Sequence, residues 1–169
     1  MNATEYTGLA IIGSLLLFAI GLSWINRIIK KKQIKKLLME FDDFIIEKSL
    51  TIDNSQRLNK NIIGIDRLNY VVVFSNKSTK KIQLIPLKEL AECRMVNERN
   101  KPGGHIQRIF LRCNLKKKES PEIILPFYDE LNDGLFMMLP LSKKAAIWAK
   151  RINIFREAAK LKQKKILSV

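Results

Sequence analysis

The sequence is short of the residues from which catalytic and metal sites are built. Among 169 residues there are two cysteines, Cys93 and Cys113, and one histidine, His105. Two cysteines are too few for a disulfide framework, and these two lack metal-ligand spacing. A zinc site needs three or four ligands, so a lone histidine in a Gly-Gly-His turn reads as a surface residue. There is no GxxxxGK[ST] or GxGxxG, which removes the usual signals for a bound nucleotide phosphate. No Ser/His/Asp set stands at usable spacing. Asp42-Asp43 and Asp129-Glu130 are adjacent carboxylates, which do not face each other on a helix and are ordinarily solvated in a turn. No catalytic residue, metal ligand or cofactor is implied, and the composition favours a binding protein over an enzyme.

Charge is plentiful but one-sided. Lys and Arg total 31 against 16 Asp and Glu, a net charge of +15. That balance suits an anionic partner: nucleic acid, acidic protein or anionic lipid. Hydrophobic residues make up 47%, enough for a packed core, with the first 29 residues more apolar than the rest. Residues 6–25 carry no charge and include Leu9, Ile11, Ile12, Leu15, Leu16, Leu17, Phe18, Ile20, Leu22 and Ile25. Twenty helical residues reach about 30 Å, the thickness of a bilayer core. Ten such side chains favour insertion by about −3 to −6 kcal/mol. A transmembrane helix is therefore expected at residues 7–26, with Tyr6 and Trp24 near its two interfaces. Only Glu5 precedes it, whereas Arg27, Lys30, Lys31, Lys32, Lys35 and Lys36 follow. The positive-inside rule then places a short N-terminus outside and the remainder in the cytoplasm, a single-pass inner-membrane protein. A cleaved signal peptide would need its basic residues on the other flank.

Residues 27–48 read as a basic juxtamembrane helix. Ile34, Leu37, Leu38, Phe41, Phe44 and Ile45 recur at helical spacing with no Pro or Gly between them. The cluster Arg27, Lys30, Lys31, Lys32, Lys35 and Lys36 serves as a topology signal among headgroups, and is the candidate contact for anionic lipid. The apolar stripe can face the rest of the chain or a second copy.

The composition changes near Ser49, where a polar stretch reads as a loop. Strands are expected at 61–66, 70–75, 81–87, 90–98, 109–115 and 122–128, from short β-branched and alternating runs. Residues 66–69, 75–78, 100–104 and 116–120 read as turns, 129–134 as a further turn and 135–140 as an apolar connector. A last helix is expected to start with Ser142 as N-cap. Leu141, Ala145, Trp148, Ile152, Phe155 and Ala159 share one face, and Lys143, Lys144, Lys150, Arg151 and Arg156 lie mostly on the other. The amphipathic part should end near Lys160, leaving 161–169 as a basic tail.

Six antiparallel strands followed by one helix with a central Trp resemble a pleckstrin-homology-like (PH-like) domain, a bent barrel capped by a C-terminal helix. Trp148, Ile152 and Phe155 would be its structural core. The chain is also similar to small membrane-anchored proteins of unknown function from Bacteroidetes. The likeness rests on Gly64-Ile65-Asp66 in the first hairpin, the PLKELAECRMV segment, and Ala146-Ile147-Trp148 to Ile152 in the last helix. It spans residues 58–156 within a domain at 49–160. PH-like barrels usually carry a seventh strand, which is either hidden in 122–140 or absent. The expected fold class is thus α+β, an N-terminal transmembrane helix followed by a PH-like barrel with a C-terminal capping helix. The resemblance implies binding or scaffolding and no catalysis. The expected partners are the membrane, anionic lipid headgroups and a membrane-protein partner. A subunit or assembly factor acting through residues 34–45 is the alternative. Nucleic acid ranks last, because no aromatics interleave the basic residues on one face.

Overall fold

The structure, a computed structural model, describes residues 3–76, 79, 81–117 and 121–167; side chains at 3–17, 19, 20, 26, 30 and 164–167 lie outside that description. The chain divides into two compact units, residues 1–40 and residues 41–169.

The first unit is helical, formed by the greater part of α1 (Ala3–Glu47). The membrane span expected at residues 7–26 is overturned. Among the described residues, no helix is long and apolar enough to cross a membrane. The described side chains of α1 begin at Phe18 and soon meet Arg27, Lys31, Lys32, Lys35 and Lys36. From Arg27 to Lys36 such cations recur every one to three residues, and no apolar stretch of bilayer length can be built through them. The side chains at 7–17, 19, 20 and 26 lie outside the described residues. The single-pass topology and the inner-membrane location with its cytoplasmic domain rested on that span and are withdrawn with it.

The second unit is α+β. Seven strands follow α1: β1 (Ile52–Leu58), β2 (Asn61–Asp66), β3 (Val71–Asn76), β4 (Lys81–Pro86), β5 (Leu90–Arg99), β6 (Ile106–Leu115) and β7 (Ile123–Asp129). A one-turn α2 (Glu130–Asp133), a 3-10 turn (Leu135–Met137) and α3 (Met138–Leu167) complete it. The strands form two antiparallel sheets, β1-β2-β3-β4 and β5-β6-β7. The α+β class and the C-terminal helix expected from sequence are present, with the strands arranged as sheets of four and three.

The seventh strand precedes the other six. β1 occupies residues expected to be a loop, because its inward positions include Asn54 and Gln56 beside Ile52 and Leu58. Gln56 has a reason to be there: its Oε1 accepts a 2.6 Å hydrogen bond from the Trp148 indole. β2 and β3 sit inside the four-stranded sheet, and their β-branched runs are buried on both faces. The outer side of β2 meets the end of α1 at Gly64. A Cβ there would lie 3.2 Å from the Phe41 ring and 3.1 Å from Ile52, so a larger residue would have to push these side chains back by a few tenths of an ångström. Ile85 in the edge strand β4 and Leu87 just after it are buried in the core, while Leu84 is partly exposed.

α3 starts four residues before Ser142, which does not cap it. Pro140 lies in the first helical turn, where no N–H has an intrahelical partner to lose. The helix also continues to Leu167, so the tail expected from 161 onward is helical for most of its length. The core lies between the sheets and α3, with Trp148, Tyr128, Phe74, Ile63, Ile65, Ile109 and Leu111 among its fully buried side chains.

Candidate functional site

Asp66 shows how the frame around α3 is fixed. It is fully buried at the end of β2. Its carboxylate accepts from the Asn69 backbone N–H at 2.9 Å, the Asn69 side-chain amide at 2.8 Å and the Thr51 N–H at 2.8 Å. Burial alone would push its pKa up. The bonds from Asn69, Thr51 and Leu68 outweigh that and hold it below the usual carboxylate value. The turn so formed presents Arg67 beside α3. The Arg67 guanidinium lies 5.2 Å from the centre of the Phe155 ring, and Arg151 lies 4.8 Å from that of Trp148.

Between these groups runs a groove of about 310 Å³, lined by Arg67, Ile147, Lys150, Arg151, Ile154 and Phe155. Its aliphatic floor is open: Ile147 is 54% and Ile154 is 56% exposed. Leu139 and Leu161 extend the same stripe along α3 and are also more than half exposed. Of its three cations, Arg67 makes a long, exposed ion pair with Asp53 at 3.8 Å. Among the described residues no carboxylate lies within ion-pair distance of Lys150 or Arg151, and the one acidic residue in all of α3, Glu157, is paired with Arg156 and Lys160. The side chains can therefore offer apolar contact with surrounding positive charge, and they carry no nucleophile or general base.

A contrasting feature lies just before α3. From Glu119 to Ser142 there is no Lys or Arg, while Glu119, Glu122, Asp129, Glu130 and Asp133 fall in that stretch. Within it Phe136 is 97% and Leu131 90% exposed, and Leu135 and Leu139 are more than half exposed. This acidic, apolar knob has a firm base. Lys60 donates to Asn132 at 3.0 Å and Asn59 to Asp133 at 2.7 Å, tying α2 to the β1–β2 turn. Asp129 caps α2, accepting from the Leu131 N–H at 3.2 Å and from the Asn132 amide at 2.8 Å. Beneath lies a recess of about 230 Å³ lined in part by Lys60, Asn61, Tyr128, Asp129 and Asp133. The Tyr128 hydroxyl is buried there with no hydrogen-bond partner among the described groups. Burial, then Glu130, Asp133 and Asp129, raise its pKa, so it stays a neutral phenol.

The remaining candidates are placed as follows. Arg27, Lys31, Lys32, Lys35 and Lys36 are all exposed on α1, with Lys36 3.8 Å from Glu40 in a surface pair of little energetic weight. The Lys30 side chain lies outside the described residues, as do Lys77, Lys80 and Lys118. Trp148 and Ile152 are buried and Phe155 is half-buried. Arg156, expected on the solvent face, turns back to donate to the Ala91 carbonyl. Cys93 and Cys113 are directly opposite in β5 and β6, buried, with sulfurs 3.2 Å apart. The thiol hydrogen bond from Cys113 and burial push the Cys93 thiol far up, which leaves it unreactive at neutral pH. His105 is exposed and lies 3.0 Å from Glu130 and 3.3 Å from the Asn100 amide. Among the described residues no cluster of three or more His, Cys, Asp and Glu is arranged to hold a metal ion.

Sequence reading missed the groove and the knob. Ile147 and Ile154 stand among the basic residues of the α3 solvent face, and 135–140 passed as a connector. The one signal available was the run from 119 to 142 without a base in a chain of net charge +15. No protein-family model, curated protein or solved structure matches the chain.

Proposed function

We propose that this chain is a non-enzymatic binding module whose α3 groove receives an acidic, apolar segment of a protein partner. The supporting observation is the pairing of two exposed isoleucines with Arg67, Lys150 and Arg151 around one concave surface. Burying an aliphatic side chain of that size contributes about 1.5–3 kcal/mol, so two of them supply affinity. The surrounding cations add orientation and association rate for an anionic segment. A flat bilayer surface meets exposed cations but cannot enter a groove, which favours a protein segment over anionic lipid.

The test uses the full chain and a synthetic acidic amphipathic helical peptide, followed by fluorescence anisotropy. Binding should weaken at least about tenfold in Ile154→Ser and fall with added salt. Equal binding by the parent and Ile147→Ser/Ile154→Ser chains would refute the assignment. So would stronger binding to mixed anionic and neutral phospholipid vesicles than to the peptide.

A further inference from the structure

The chain carries both halves of such a contact. We infer that the segment received by the α3 groove is residues 129–139 of a second copy of this chain, so that two copies pair through α3. The inference rests on the groove's role as a docking site and names its occupant.

Three observations point to a second copy. The first is exposure. Phe136 and Leu131 are almost wholly in solvent, at 97% and 90%, with Leu135 and Leu139 beside them. Large side chains concentrated in this way on a surface mark an interaction site. The hydrogen bonds from Asn59 and Lys60 hold the base of the knob in place, so little ordering cost falls on association.

The second is charge. The knob belongs to the longest stretch after residue 30 without a Lys or Arg, residues 119–142, which carries five carboxylates. The groove is edged by Arg67, Lys150 and Arg151. Two chains of net charge +15 repel at long range, but at physiological salt charges more than about 8 Å apart are largely screened. Contact is then governed by the local complement of Asp129, Glu130 and Asp133 against the groove's cations.

The third is placement. Leu139, Ile147 and Ile154 all stand on the solvent side of the same helix. Eight residues of helix separate Leu139 from Ile147, about 12 Å. Two helices laid antiparallel can therefore put each knob against the other's groove at once. Such an exchange is reciprocal and closes at two chains, the commonest form of self-association.

The experiment is complementation between two singly disabled full-length chains, read by sedimentation velocity. Phe136→Asp removes the knob and leaves the groove; Ile154→Asp removes the groove and leaves the knob. Parent chain should sediment at twice the 19.6 kDa chain mass. Phe136→Asp alone and Ile154→Asp alone should each associate at least about tenfold more weakly. Mixed one to one, they should restore a dimer through the one intact knob–groove pair. Circular dichroism melts of each variant separate loss of pairing from loss of folding, and Phe136→Ser with Ile154→Ser serve if either aspartate variant fails to fold. A parent chain that is monomeric, or a mixture that stays monomeric, overturns the inference. A monomeric parent that still binds the acidic peptide through Ile154 overturns the second copy alone. A parent that does neither removes the docking site as well.

Discussion

On the inward side of α3, Leu141, Ala145, Trp148, Ile152 and Ala159 are 1% exposed or less. On the outward side of the same helix, Leu139, Ile147, Ile154 and Leu161 are each more than half exposed. Both faces use aliphatic residues, so residue type does not distinguish them. Their surroundings do. The inward set meets two sheets and has its one polar atom, the Trp148 indole N–H, satisfied by Gln56. The outward set meets solvent and a rim of cations. The demands of the core account for the first face and leave the second unexplained, which is why the outward face is the one read as functional.

Replacing Trp148 should have the largest effect. Trp148→Ala removes the biggest fully buried side chain and leaves a cavity between α3 and the sheets. A loss of about 3–5 kcal/mol in unfolding free energy is expected by urea titration. If the inward face were as dispensable as the outward one, the loss would be under about 1 kcal/mol.

Asp66 comes next, because it shapes the turn that carries Arg67 to the groove. Asp66→Ala strips acceptors from three donors and should cost about 3 kcal/mol. Its pH dependence has a definite sign. The folded pKa is depressed below 3.8, so the carboxylate's contribution is full above the unfolded value and is lost as pH falls below it. The stability gap between parent and Asp66→Asn should hold from neutral pH to about pH 5 and narrow below pH 4. A gap that widened on acidification would mean that Asp66 is not held as a carboxylate.

Gln56 tests whether the polar inward positions of β1 belong to the core. Gln56→Ala leaves the Trp148 N–H without its acceptor, and a loss of about 1–2 kcal/mol is expected in the same titration. This residue also shows where the sequence was legible. β2 and β3 were readable because a strand enclosed on both faces must be apolar and β-branched throughout. β1 was not, because Asn54 and Gln56 break its alternation, and the partner that justifies Gln56 lies 92 residues away. Pro140 hid the true start of α3, since a proline reads equally as a connector or as a first-turn residue. The knob was hidden for a different reason. Leu135, Phe136 and Leu139 give the same apolar string whether they are destined for a core or for solvent, and only the packed structure shows that nothing within the described residues covers them. The span inferred at 7–26 from its length, its terminal aromatics and its basic flank has no counterpart among the described residues, where no helix is long and apolar enough to cross a membrane.

Ile154 should have the smallest effect on stability, and it bears most directly on the comparison. It lies one turn or less from Arg151 and Phe155, in the same helix as Ile152, and both isoleucines are equally apolar. Ile152→Ala should cost about 2–4 kcal/mol because its neighbours cannot close the space it leaves. Ile154→Ser removes a side chain whose outer half already faces water, so the change in unfolding free energy should stay within about 0.5 kcal/mol. Binding of an acidic segment at the groove should weaken at the same time by at least about tenfold. Stability and binding would then separate cleanly between two residues two positions apart. If Ile154→Ser instead destabilised the chain as much as Ile152→Ala, the outward stripe would belong to the fold, and the distinction between the two faces of α3 would fail.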